Sequence, residues 1–114
     1  MANYYGVASD TPEPVKLNMK GSGSTAISAM YHYSKALSPT SVAANTAVEQ
    51  TFAVPGVAVG DVVFVNKPAQ QTGLGVAGCR VSAANTLAIT FVNATASPIV
   101  PTAGETYQIG GIRR

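Results

Sequence analysis

Along "TAVEQTFAV" (46–54) apolar and polar side chains alternate. Val48, Phe52 and Val54 fall on one face, Glu49 and Thr51 on the other. A period of two is the mark of a strand with one buried face. The same alternation predicts strands at "VAGCRVS" (76–82) and "TLAITFV" (86–92). The first puts Ala77, Cys79 and Val81 opposite Arg80 and Ser82. The second puts Leu87, Ile89 and Phe91 opposite Thr86 and Thr90. "ETYQIGGI" (105–112) reads as a last strand. "DVVFVNK" (61–67) departs from the rule, because it is apolar on both faces. One face then belongs to the core and the other to a neighbour.

Turn chemistry separates these segments. Pro55-Gly56 suits a turn whose third position needs a positive φ, and Gly60-Asp61 bends the chain into the next strand. Ala83-Ala84-Asn85 reads as a short hairpin loop, with Asn85 able to take a left-handed conformation. Short strands at this spacing predict a sandwich or small barrel. Residues 24–37, "STAISAMYHYSKAL", fit two patterns. As a strand, Ile27, Ala29, Tyr31 and Tyr33 share a face; as a helix, Ile27, Met30, Tyr31 and Leu37 form a stripe. Ser/Tyr content and short length favour the strand or irregular structure.

Residues 1–23 read differently. Pro12 and Pro14, then Gly21, Ser22 and Gly23, disfavour a long helix and point to an extended arm ahead of a body spanning 24–114. Within the arm Val15, Leu17 and Met19 alternate with Lys16, Asn18 and Lys20, as in a strand that pairs with something.

Composition sharpens this outline. Only 11% of the 114 residues are charged and 46% are hydrophobic, against about 25% charged in an ordinary soluble domain. Charge keeps a free monomer soluble and discourages edge-to-edge pairing. A chain this poor in charge is expected to cover much of its surface with partners. Net charge is +2, with Arg113 and Arg114 together at the end and no other basic run. That pattern lacks the basic footprint of a nucleic-acid binder. It leaves the two arginines as a contact for an acidic surface. The start of the chain shows neither a basic n-region nor an apolar h-region, and no apolar run approaches the roughly 20 residues that span a bilayer. A cytoplasm-like site of synthesis is therefore expected.

Candidate chemistry is sparse. His32 is the single histidine and Cys79 the single cysteine. A cysteine nucleophile needs a base, and His32 is the only imidazole to supply it. The lone His fits an interface position, and Cys79 fits strand packing. The acids Asp10, Glu13, Glu49, Asp61 and Glu105 are scattered. Asp61 is expected to bond local backbone, and Glu49 and Glu105 could meet across strands. "GLGVAG" (73–78) runs into a strand instead of a helix, so a wide turn or a close backbone approach is expected rather than a phosphate cradle. "NAT" (93–95) matches a glycosylation sequon by chance. No catalytic, metal or cofactor set emerges.

The series "PGVAVGDVVFVNKP" followed by "GLGVAGCRVSAANTLAITFVNATASPIVPTAGETY" resembles a small β-module of tailed-bacteriophage structural proteins. The resemblance covers roughly Phe52 to Tyr107; residues 1–45 have no counterpart in it. At this length the chain looks most like a capsid decoration (cement) protein. The resemblance implies an all-β, small jelly-roll/β-barrel-like sandwich with an extended N-terminal arm. It implies a virion location on the capsid outer surface after synthesis in the host cytoplasm. The implied partners are the major capsid protein and further copies of the chain, as homodimer or homotrimer, with no nucleic acid and no membrane. It implies no enzyme activity and no cofactor. The arm residues Tyr4, Tyr5, Val15, Leu17 and Met19 are the expected capsid contacts. Val63, Val65, Tyr31 and Tyr33 are the expected oligomer contacts, and Arg113 and Arg114 the basic contact. A tail or fibre component and a tyrosine-based carbohydrate-binding module are the alternatives.

Overall fold

The computed structural model describes residues 26–114. They form six strands: β1 (Ala29–Leu37), β2 (Thr46–Ala53), β3 (Val62–Asn66), β4 (Leu74–Ala83), β5 (Thr86–Asn93) and β6 (Glu105–Arg113). There is no helix among the described residues. The strands make two antiparallel three-stranded sheets, ordered β1-β6-β3 and β2-β5-β4. The 24–37 segment thus resolves as a strand from Ala29 onward.

Alternation sets the faces. In the second sheet Val48 lies opposite Phe91, Phe52 opposite Leu87, and Val81 opposite Leu87 on the other side. These side chains point inward, as their spacing predicts. In the first sheet Leu37, Tyr107 and Ile109 point inward. Both sets join one core, with Leu87, Ile89, Phe91, Tyr107 and Ile109 fully buried. Each such side chain contributes about 1.5–3 kcal/mol of burial. Val42 and Val57, which lie outside every strand, are buried in the same core.

The two ends are closed by turns that bind each other. Asn85 takes φ 59°, as its place in the β4–β5 hairpin requires, and Gly56 takes φ 107°. Asn85 accepts from the Val54 amide, donates its own amide to the Val57 carbonyl, and accepts from the Gly56 amide on Oδ1. At the opposite end Val42 and Ile99 form an isolated antiparallel bridge. Buried Asn93 donates through Nδ2 to the carbonyls of Val42 (3.0 Å) and Ser97 (2.8 Å). Its Oδ1 accepts from the Thr95 amide and hydroxyl. The sequon asparagine is therefore the organiser of a turn.

Candidate interaction surfaces

The doubly apolar β3 splits its side chains between two destinations. Val63 and Val65 are half-buried against the core, and so are Tyr31 and Tyr33 of β1. The outward pair is Val62 and Phe64. The four residues expected as oligomer contacts therefore face the interior of the body, because strand parity puts their neighbours outside.

Register builds the outer face of this sheet row by row. Met30, Ile112 and Val62 form one row; His32, Gly110 and Phe64 the next; Ser34, Gln108 and Asn66 the third. Met30, Val62 and Phe64 are 57%, 64% and 57% exposed. A Cβ at Gly110 would enter the Phe64 ring. The ring therefore lies down across the central strand, which flattens the face. A hollow of about 400 Å³ opens beside the first row, lined by Ile27, Gly60, Val62, Ile112 and Arg114. The face has an apolar half and, from Ser34 onward, a polar half.

One corner of this sheet is locked by Asp61, whose side chain is only 2% exposed. Its carboxylate accepts from Arg113 Nε (2.9 Å) and Nη2 (2.8 Å), from Tyr31 Oη (2.7 Å) and from the Ala58 amide (3.0 Å). Arg113 also donates to the Gly56 carbonyl and lies over the Tyr31 ring. The Arg113 bonds hold the Asp61 carboxyl well below the usual carboxylate range, against the opposing effect of burial. Burial first, then the bond to Asp61, push the Tyr31 phenol well above its ordinary value. The bond to Asp61 raises Arg113 in turn. The expected local backbone bond of Asp61 is present; its two long-range partners were invisible in the sequence. Arg113 is thus taken up within the body, while Arg114 stands exposed at the hollow.

The outer face of the second sheet carries mostly small side chains and one ion pair. Arg80 on β4 grips Glu49 on β2 with two 2.8 Å bonds, bridging β5, whose Ala88 is fully buried. That grip lowers the Glu49 pKa and raises that of Arg80. Glu105 pairs instead with Lys67 at 2.8 Å. Glu49 and Glu105, which could have met across strands, do not, because Glu49 is on the outer face of one sheet and Glu105 belongs to the other sheet. Next to Glu105, the fully buried Tyr107 phenol has no hydrogen-bond partner. Burial, then the Glu105 charge, push it up to about 12.

The candidate chemical residues are not brought together. Cys79 points inward from β4, its thiol donating to the Val63 carbonyl at 3.4 Å, and burial pushes its pKa up. His32 is exposed on the outer face of the other sheet. Among the described residues the thiol's hydrogen-bond partner is the Val63 carbonyl and not His32. Gly73 of "GLGVAG" sits at φ 81° with the Thr95 and Ile99 side chains against it, which is the close approach expected there. Among the described residues no group of three or more His, Cys, Asp or Glu could hold a metal ion. No helix among them is long and apolar enough to cross a membrane. Tyr4, Tyr5, Val15, Leu17 and Met19 lie outside the described residues. Comparison of the chain with protein families, curated proteins and solved structures finds no match.

Proposed function

We propose that the chain is a structural virion protein that decorates and stabilises a bacteriophage capsid by bridging major capsid protein subunits on the outer surface. The uncovered apolar half-face of the β1-β6-β3 sheet supports this most directly. Met30, Val62 and Phe64 stand more than half exposed there, in a chain with only 11% charged residues. Clustered exposed apolar side chains mark sites of protein contact. The sequence resemblance to phage virion modules supplies the setting. In this reading the body is the small jelly-roll/barrel-like unit of such subunits, and it applies its apolar face to the shell. Residues 1–23 act as a clamp on neighbouring capsid subunits, and Arg114 meets an acidic rim. Each contact is weak, but repetition over a shell gives large avidity.

The test is purification of intact particles from a host making the phage. The protein is expected in the head fraction at a fixed ratio to the major capsid protein. Removing residues 1–23 is expected to leave a folded body by circular dichroism and to abolish head binding. Recovery in the tail fraction would favour the tail or fibre reading. Absence from particles, or full binding by the truncated chain, would overturn the clamp and its role.

A further inference from the structure

Each sheet has two edges, and an unpaired edge is a template for another strand unless something blunts it. Three of the four are blunted. β3 is five residues long and ends at Lys67-Pro68. β4 is bulged twice, between Val76 and Gly78 and between Val81 and Ala83. β2 has the incoming linker tied to it, since the Gln50 side chain bonds both the amide and the carbonyl of Thr40. β1 has no such shortening, bulge, proline or tied linker, and its one charged residue is Lys35. It runs nine residues without proline, pairs with β6 in nine consecutive register positions without a shift, and has no strand among the described residues on its other side.

We infer that the edge of β1 left unpaired among the described residues is the contact for a second copy of this chain, with the two β1 strands antiparallel across a twofold axis at Tyr33. Centring on Tyr33 is the only register that pairs all nine residues. It sets Ala29 against Leu37, Met30 against Ala36, Tyr31 against Lys35, and His32 against Ser34 of the other copy. No like charges face each other, and Lys35 meets an aromatic ring. A register two residues on, centred on Lys35, would oppose two lysines and shorten the ladder. Twofold pairing keeps each residue on its own face, so the two sheets merge into one of six strands, ordered β3-β6-β1-β1-β6-β3. The outer faces of both copies then lie on the same side.

Self-pairing also suits the size of the apolar face. One three-stranded face measures roughly 17 by 14 Å from strand rise and spacing, on the order of 250 Å². A stable interface needs about 800 Å² per partner. One copy's face is too small to hold a dimer by stacking, whereas backbone ladders do not depend on apolar area. The pairing deepens the proposed decoration role by doubling the face offered to a shell, but the dimer stands or falls without any shell.

The test uses the full chain in solution. Light scattering is expected to return twice the 11.6 kDa chain mass. His32 and Ser34 are exposed, so substituting both is expected to leave the monomer fold intact at the loss of the exposed Ser34–Gln108 hydrogen bond. The double variant His32→Lys/Ser34→Lys places two pairs of like charges opposite each other across the axis. It is expected to weaken the dimer on the order of tenfold at low salt. Mixing it with His32→Glu/Ser34→Glu is expected to give a heterodimer by native mass spectrometry. A monomer at all concentrations would overturn the inference, as would a dimer indifferent to the lysine variant. So would a dimer broken by Phe64→Lys alone, which would place the second copy on the apolar face. A monomer that dimerises only when residues 1–23 are removed would assign the edge to the chain's own N-terminal segment and overturn it too.

Discussion

Replacing Asp61 with alanine tests the corner that joins β1, β6 and the turn before β3. The carboxylate is almost wholly buried and accepts four bonds from Tyr31, Ala58 and Arg113. The bonds from Tyr31 and Ala58 go to a charged acceptor and are worth about 1.5 kcal/mol each, the low end for such bonds. The Arg113 pair must be discounted, since that guanidinium stands partly in solvent and rehydrates when its partner goes. Removing the acceptor should cost about 3 kcal/mol in all, a large share of the stability of a small domain. For a body of this size that lowers Tm by roughly 10–20 °C. Urea unfolding followed by circular dichroism measures the loss, with the denaturant slope unchanged. Acid adds a second readout. The folded carboxyl lies well below its unfolded value, so its stabilisation is complete above about pH 4. It fades only as pH falls further, toward the folded pKa. The gap between wild type and Asp61→Asn should therefore be constant from pH 8 to about 4 and shrink below that. A loss under about 1 kcal/mol for the alanine variant would refute the account. So would a gap that changed between pH 8 and 5.

Three further outcomes follow from the packing. Val63→Lys should unfold the body, since its side chain packs on the core, while Val62→Lys, on the exposed face, should leave the circular dichroism spectrum intact; equal effects would contradict the assigned faces. Gly111→Ala should cost about 2 kcal/mol or more because the new Cβ meets the Tyr31 ring, held in place by Asp61. Gly110→Ala should cost less, since the exposed Phe64 ring can swing away, and thermal melts of the two variants compare them directly. Asn93→Ala should cost about 2–3 kcal/mol through the carbonyls it leaves without a donor; secreted from a glycosylating host, the wild-type chain should carry no glycan at Asn93 by mass spectrometry.

Much of the body was legible as pattern. Strand positions at 46–54, 76–82 and 86–92 match β2, β4 and β5 to within two residues, because alternation is local and one face of each is buried. Asn85 and Gly56 announced their conformations through residue type alone. The surfaces were less legible. The double apolar face of β3 was plain, but its parity relative to the core was not, so the expected oligomer contacts Val63 and Val65 pack on the core while Val62 and Phe64 face out. Arg113 and Arg114 looked equivalent until Asp61, 52 residues away, claimed one of them. Asn93 looked like a chance sequon until its burial showed the turn it organises.

The sequence by itself determined that this chain builds strands, where most of them begin and end, and that only 11% of its residues carry charge. Those properties depend on side-chain type and spacing along a few consecutive residues. The tertiary structure alone decided which edge stays unpaired among the described residues, which apolar side chains face out, and which acid meets which base. These depend on strand order, register and sheet pairing between segments far apart in the chain, and nothing in a local pattern encodes which distant strand will lie alongside.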